Sequence, residues 1–312
     1  MSEPTRGASD RGTSRPESAA GSAPSPRIVE RGVIALGLRI ASAMSDAPRA
    51  LLARAPLVVL PGPAFVWRDY ETVMRRCAAE RRVFALDWPG FGTSERLAGG
   101  PLDYTLERYT QVFAAWLEGM GIARAVLLAS GIAAPVTLRF AAEHPQRVAG
   151  VALIGPAGFA APGALRTMVA RVASSPALLR RLWPLSTSLL LGPATVLTAP
   201  VAERHRLLRA APEHGEALRI HAALWRSMPA NTQLDAWARG VVAPTLVVRG
   251  ALDPLVTAAD ARRAAETIGP QGALEITLPG AGHLPFLQQP ERFAAALDGL
   301  LTTAEMQAAA LS

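Results

Sequence analysis

The sequence predicts an α/β protein in which a mostly parallel sheet is flanked by helices and interrupted by an inserted helical cap. Short apolar runs rich in β-branched residues alternate with longer amphipathic stretches, a rhythm typical of parallel strands joined by right-handed crossovers. The interval 158–240 breaks this rhythm with a long helical pattern. Half of the 312 residues are hydrophobic, which is enough to bury one large core.

The N-terminal part of the chain changes character near residue 27. Residues 1–27 contain almost no large apolar side chains, so they cannot offset the entropy of ordering, and we expect them to be disordered. Residues 27–44 carry apolar side chains at an irregular helical spacing, together with Arg31 and Arg39. This pattern predicts a helix that packs on the main domain. The alternative is a basic helix that makes weak contact with a membrane surface.

The alternation that follows predicts the order of the core elements. Strands are expected at 56–60, 83–87, 125–129, 151–155, 245–250 and 274–278, with helices between them, at 258–268 and at 290–301. The domain boundaries that result are 28–157 for the first part of the core, 158–240 for the helical cap, 241–303 for the second part of the core and 304–312 for a C-terminal tail.

Composition and charge exclude several classes of function. All 32 basic residues are arginines, and 25 acidic residues leave a formal net charge of +7. Because the arginines are scattered through every segment, the charge does not indicate a nucleic-acid surface. The single cysteine, Cys77, excludes an internal disulfide framework and is expected as a buried thiol in a helix that begins near Arg68. With neither a leader pattern nor a long apolar span, these features predict a cytoplasmic protein.

Four motifs in a fixed order point to a known family. They are DWPGFGTS at 87–94, AAEHP at 141–145, GALDP at 250–254 and GAGHLP at 280–285. In this order they resemble the α/β-hydrolase family, in particular its bacterial branch of esterases, dehalogenases and epoxide hydrolases. The resemblance runs from about Leu57 to Leu301. It implies an α/β-hydrolase sheet and a catalytic acid and histidine at Asp253 and His283.

The family's nucleophile lies in a G-x-S-x-G turn, where small residues flank it on both sides. Counting back from the motif at 141–145 places that position at Gly131, between Ala129 and Ala133. Glycine has no side chain, so a covalent intermediate cannot form on it. The alternative is that Ser130 attacks, although Leu128 and Ile132 would then crowd the turn.

The oxyanion hole of the family uses the backbone N–H after the nucleophile and a second N–H from the loop after an earlier strand. Ile132 is the candidate for the first donor. In the second loop, the residues Leu60-Pro61-Gly62-Pro63 place a proline, which has no N–H, at the expected donor position. Pro63 and Trp67, which matches a tryptophan of the family in this loop, are candidates for lining the pocket. Trp183 and Trp225 in the cap are further candidates.

Three functions are compatible with this set of residues. The first is an enzyme that acts on a small, mainly apolar molecule, with His283 oriented by Asp253 as a general base in lyase, isomerase, cyclase or cofactor-free oxygenase chemistry. The second is a catalytically silent binding or regulatory protein, and the third is a serine esterase that uses Ser130. His205, His214 and His221 in the cap lack the spacing of metal ligands, so neither a metal nor a cofactor is expected. The oligomeric state is not predicted.

Overall fold

An eight-stranded sheet forms the centre of the computed structural model, which describes residues 26–46, 51, 53–62, 65–160, 163–191, 202–203, 206 and 215–311. The strand order is β1-β2-β4-β3-β5-β6-β7-β8. The pairs β1/β2 and β2/β4 are antiparallel, and all other neighbouring strands are parallel. The predicted α/β fold with a mostly parallel sheet is confirmed. The strands are β1 Ile28–Ala35, β2 Leu38–Ser45, β3 Leu57–Leu60, β4 Val83–Leu86, β5 Ala125–Ser130, β6 Val148–Ile154, β7 Thr245–Gly250 and β8 Leu274–Leu278.

The N-terminal helix predicted for 27–44 was wrong, because this stretch forms the β1–β2 hairpin. Leu36 and Gly37 make a two-residue turn with φ of 50° and 79°, and the register pairs Ala35 with Leu38. Two residues with positive φ suit the twist of a hairpin. The membrane contact expected from a helix here loses its structural basis. Residues 1–25 lie outside the described part of the chain.

The described helices pack on both faces of the sheet. Successive residues of β5 point to opposite faces, so Leu127 and Ala129 belong to one hydrophobic cluster while Val126 and Leu128 belong to the other. Burial on both faces is what a parallel sheet requires. The helices are α1 Glu71–Cys77, α2 Leu106–Gly119, α3 Ala133–Glu143, α4 Ala164–Ala173, α5 Pro176–Leu191, α6 Gly215–Arg226, α7 Asn231–Arg239, α8 Ala258–Thr267, α9 Pro285–Gln288 and α10 Pro290–Leu311.

Helices α4 to α7 lie between β6 and β7, in the interval where the sequence predicts the cap. The hydroxyl of Ser227, just after α6, accepts a hydrogen bond of 3.0 Å from the N–H of Leu106 at the start of α2. Glu216 of α6 pairs with Arg96 at 2.8 Å. Helix α6 is thus fixed to the core at both ends.

The C-terminal helix is longer than the sequence indicates. Helix α10 continues to Leu311, so the stretch predicted to be a tail, 304–312, is helical as far as it is described. Ala304 is buried, and Glu305 pairs with the buried Arg81 at 2.7 Å. Cys77 is buried at the end of α1, as predicted. Among the described residues, none of the helices has the length and apolarity needed to cross a membrane.

Candidate active site

A sharp turn joins β5 to α3 at the carboxyl edge of the sheet. Gly131 follows the last residue of β5 and has φ of 54°, a left-handed conformation that glycine adopts at little cost. Its N–H donates to the carbonyl of Ile154 at 3.0 Å, and its carbonyl accepts from Ala157 at 3.1 Å. A Cβ added to Gly131 would meet nothing within 4 Å. The turn therefore has room for a side chain at the residue where the sequence places the family's nucleophile.

The hydroxyl of Ser130 is held by two hydrogen bonds to other parts of the chain. Its Oγ accepts a hydrogen bond of 2.9 Å from the N–H of Gly62 and shares a second hydrogen bond with the hydroxyl of Tyr70. The Tyr70 ring stacks on Phe286 at 4.2 Å, and Ser130 is only 6% exposed. No hydrogen bond joins Ser130 to His283 in the described part of the chain. The environment of Ser130 is that of a buried structural hydroxyl.

The structure brings Asp253 and His283 together at the ends of β7 and β8. Nδ1 of His283 lies 2.8 Å from Oδ2 of Asp253, and both residues are buried. The other carboxylate oxygen of Asp253 accepts hydrogen bonds from the N–H groups of Leu255 at 2.8 Å and Val256 at 3.1 Å. Burial alone would raise the pKa of Asp253, but the charge and hydrogen bond of His283 and the two backbone donors hold that pKa below its ordinary value. An ionised Asp253 fixes the proton of His283 on Nδ1 and leaves Nε2 as the basic nitrogen.

The loops that carry the pair are packed backbone against backbone. A Cβ added to Gly250, the last residue of β7, would lie 2.1 Å from the carbonyl oxygen of Gly282. The N–H of Leu252 donates to the carbonyl of Ala281 at 2.8 Å, and the N–H of Gly282 donates to the side chain of Gln288 at 2.7 Å. Glycine at position 250 therefore lets the acid loop and the histidine loop approach closely enough to pair their side chains.

Gly155 connects this pair to the β5–α3 turn, and the sequence analysis missed it. Gly155 follows β6 directly, has φ of 48°, and succeeds Ile154, whose carbonyl accepts the N–H of Gly131. A Cβ added to Gly155 would lie 2.9 Å from Cε1 of His283 and 3.3 Å from Oδ2 of Asp253. The signal in the sequence was a glycine immediately after a buried strand, which often marks a close approach of another group.

The two loops expected to supply oxyanion donors differ in which backbone N–H groups they leave without a partner. Ile132 is the N-terminal capping residue of α3, so its N–H belongs to the helix-start donors that have no partner within the helix. In the loop after β3, the N–H of Gly62 is engaged with Ser130, and the carbonyl of Pro61 accepts from the indole of Trp88 at 2.6 Å. Pro63 lies outside the described residues.

The tryptophans proposed for the pocket occupy two hydrophobic clusters. Trp67 and Trp183 are buried in the same cluster, and the guanidinium of Arg68 covers the Trp67 ring at 4.5 Å. Trp225 is half-buried against the other cluster, and its indole N–H donates to Nε2 of His221 at 2.9 Å. His205 and His214 lie outside the described residues. The described residues contain no group of three or more His, Cys, Asp or Glu side chains placed to hold a metal.

Asp87, directly after β4, is a second buried carboxylate. Its Oδ1 accepts the N–H of Trp67 at 2.8 Å, and it also accepts from the backbone of Thr93. Burial raises its pKa from the ordinary 3.8 to about 6, an effect that these two donors only partly offset. Its contacts tie the loop after β4 to the segment that precedes α1.

Known proteins resemble this chain in sequence and in fold. Residues 57–296 match the sequence model of the Alpha/beta hydrolase family. The chain is 33% identical over 218 residues to the dihydrolipoyllysine-residue acetyltransferase component of the acetoin cleaving system of Pseudomonas putida, covering 69% of this chain but only 55% of that relative. It is 30% identical over 255 residues to the pimeloyl-[acyl-carrier protein] methyl ester esterase of Edwardsiella ictaluri, covering 77% of this chain and 91% of the esterase. The crystal structure of the enol-lactonase from Burkholderia xenovorans superposes with a TM-score of 0.72 at 20% identity, over 87% of this chain and all of the lactonase.

Proposed function

The chain belongs to the alpha/beta hydrolase family, and from that premise we propose that it acts on a small, mainly apolar molecule through general-base catalysis by His283, without a covalent enzyme intermediate. The observation that carries this proposal is the paired His283 and Asp253 beside a turn whose open position is a glycine. The reaction is the removal of a proton from an acidic C–H, the first step of the lyase, isomerase, cyclase or cofactor-free oxygenase chemistry predicted from the sequence.

The His283–Asp253 pair supplies the base. Asp253 accepts the Nδ1 proton at 2.8 Å, so Nε2 of His283 takes the substrate proton and the neighbouring carboxylate stabilises the imidazolium that forms. A positioned base of this kind accelerates proton transfer by about 10²- to 10⁴-fold. Because Asp253 is itself held by the N–H groups of Leu255 and Val256, the pair is oriented before the substrate binds.

Gly131 supplies space in place of a nucleophile. The open region around its Cα is where the side chain of a family nucleophile would extend, so in our proposal the reacting carbon of the substrate occupies it. The N–H of Ile132 at the start of α3 then stabilises the negative charge that develops on the substrate. We infer an apolar ligand because Ile132, directly after Gly131, belongs to a buried apolar cluster that also contains Phe159 and Ile220.

Kemp elimination of 5-nitrobenzisoxazole tests this proposal, since it requires only a base in an apolar site. The base removes the C–H proton, the carbon–nitrogen triple bond forms, the N–O bond breaks and the oxygen leaves as a coloured phenolate. We expect saturable turnover that falls by about 10²- to 10⁴-fold in His283→Ala and changes less than about twofold in Ser130→Ala. Turnover that survives His283→Ala would overturn the proposal, and so would the absence of any turnover by the wild-type protein.

Ester hydrolysis by Ser130 is the second candidate, because the esterase relative is 30% identical over 91% of its length. The hydrogen bonds that Ser130 makes with Gly62 and Tyr70 argue against it. A fluorophosphonate probe separates the two functions. Labelling of the wild type that disappears in Ser130→Ala would establish the esterase, whereas we expect no labelling of the wild type and new labelling of Gly131→Ser.

A further inference from the structure

His221 in helix α6 has a buried nitrogen without a hydrogen-bond partner. Its Nε2 accepts the indole N–H of Trp225 at 2.9 Å, one helical turn further along. An acceptor on Nε2 means that the neutral ring carries its proton on Nδ1. That Nδ1 atom is buried and has no hydrogen-bond partner in the described part of the chain. His221 is therefore a neutral ring that offers one N–H donor, and its orientation is fixed by Trp225.

His221 lies on α6 between two edges of the helix that are packed against different hydrophobic clusters. Residues in a helix advance by 100° each. The core-facing edge of α6 contains Ile220 and Leu224, which share a cluster with Ile132 of the β5–α3 turn. The opposite packed edge contains Leu218, which shares the other cluster with Trp183 of α5. His221 falls between these two edges.

The core-facing edge also comes close to the loop that holds the family motif after β4. A Cβ added to Gly90 would lie only 2.5 Å from Cδ1 of Ile220. His221 is the next residue, so its ring extends from a helix turn that is already in contact with the loops at the carboxyl edge of the sheet. Gly131, Asp253 and His283 lie in the loops that follow the strands at this same edge.

A buried N–H donor without an acceptor lowers the stability of the fold, and a bound ligand with an acceptor would remove this loss. A buried polar group without a partner destabilises the fold, because it has lost its hydrogen bonds to water and has gained none in exchange. Protonation does not relieve the cost, because burial lowers the pKa of His221 to about 4 and the ring stays neutral near pH 7. Replacing the histidine by an apolar residue would remove the cost altogether, and yet a histidine is present and is oriented by a second side chain.

We propose that the Nδ1–H of His221 donates a hydrogen bond to a carbonyl-type oxygen of the small apolar molecule bound between cap and core. The inference rests on the proposed function, since it takes the molecule under the cap to be the substrate of His283. The inference adds a chemical requirement to that substrate. Besides an acidic C–H on the side of the core, the substrate carries a hydrogen-bond acceptor on the side of α6. His221 is then a specificity-determining residue, and Trp225 is the positioning residue that fixes its tautomer.

A matched pair of ligands, acetophenone and ethylbenzene, tests this requirement by NMR titration. The two molecules differ mainly in the carbonyl oxygen, so the ratio of their dissociation constants reports the acceptor preference of each variant. In His221→Phe we expect this ratio to fall by about five- to tenfold relative to the wild type, the effect of one hydrogen bond. In His221→Asn, whose amide nitrogen replaces Nδ1 as a donor, the ratio should stay within about threefold of the wild type. His144→Phe serves as a control, because that histidine ring packs on Phe140 outside the cap.

Each outcome is decisive. A ratio that is the same in His221→Phe and in the wild type overturns the inference, and so does the absence of detectable binding of either ligand. Binding does not require turnover, so the titration can be read independently of the elimination assay. If the carbonyl preference depends on His221 while elimination does not depend on His283, the inference stands and the proposed function fails. If elimination depends on His283 while the carbonyl preference does not depend on His221, the proposed function stands and the role of His221 is rejected.

Discussion

Replacing Gly155 by alanine is the sharpest test of the candidate site, because two separate costs act at this position. The first is backbone strain, since a residue with a Cβ at φ of 48° is destabilised by about 1–2 kcal/mol. The second is a collision, since the new Cβ would lie 2.9 Å from Cε1 of His283 and 3.1 Å from its Nδ1. To restore an ordinary carbon–carbon separation of about 3.5 Å, the imidazole has to move by roughly half an ångström.

Gly121 provides a matched control for the first cost. It also has a positive φ, 65°, but a Cβ at this position would meet nothing within 4 Å. We expect urea unfolding to show a loss of about 1–2 kcal/mol in Gly121→Ala, and a loss at least as large in Gly155→Ala, where the collision adds to the strain. In the elimination assay, Gly121→Ala should retain the wild-type rate. Gly155→Ala should lose about 10- to 100-fold, because a displaced base loses its alignment with both Asp253 and the substrate.

Three results would contradict this reasoning. If Gly155→Ala and Gly121→Ala have equal elimination rates, the imidazole next to Gly155 is not the base, or its position does not limit the reaction. If Gly155→Ala loses elimination activity but His283→Ala does not, the glycine acts through the fold alone. A crystal structure of Gly155→Ala with the His283–Asp253 distance unchanged from 2.8 Å would also contradict the expected displacement.

Two further predictions concern buried titratable groups. The pKa of Asp87 is about 6 in the folded protein and about 3.8 when unfolded, so the folded state binds more protons between these values and stability falls as the pH rises through that window. The free energy of unfolding of the wild type, taken relative to Asp87→Asn, should therefore decrease by about 2 kcal/mol between about pH 4.5 and about pH 7. Parallel pH profiles of the two proteins would disprove the raised pKa. Burial also raises the pKa of the Cys77 thiol to about 12, so a disulfide reagent at pH 8 should modify it only after urea unfolding, and prompt reaction of the folded protein would contradict its burial.

Much of the sheet could be predicted from sequence because buried parallel strands have a strong local signal. The predicted strands at 245–250 and 274–278 coincide with β7 and β8, and β5 differs from its prediction by one residue. The run that forms β7 is apolar and buried throughout, whereas β8 is only partly buried and is identified by its β-branched residues and the glycines and proline that flank it. The acid and histidine were also predicted, through the resemblance of their loops to the family, and the structure pairs them.

The hairpin at the N-terminus was missed because its turn has an atypical residue. A two-residue hairpin turn usually contains Asn-Gly or Asp-Gly, whereas Leu36 occupies the first position here with φ of 50°. Without that signal, the exposed Glu30 and Arg31 and the apolar residues around them looked like one irregular helix. Gly155 was missed for a different reason. A glycine after a buried strand indicates that some group approaches closely, but no local pattern identifies that group as His283 and Asp253, about one hundred positions away.

The insertion of the cap between β6 and β7 has a consequence for how the protein folds. Those two strands are hydrogen-bonded neighbours, yet about 90 residues of chain separate the end of one from the start of the other. Closing so long a loop costs more entropy than forming the local β1–β2 hairpin, and contacts of high sequence separation slow folding. The β5–α3 turn belongs to the chain before this loop, and Asp253 and His283 belong to the chain after it. We therefore expect Asp253 and His283 to meet Gly131 only in the last stage of folding, so that the recovery of the proposed elimination activity during refolding lags behind the recovery of helical signal.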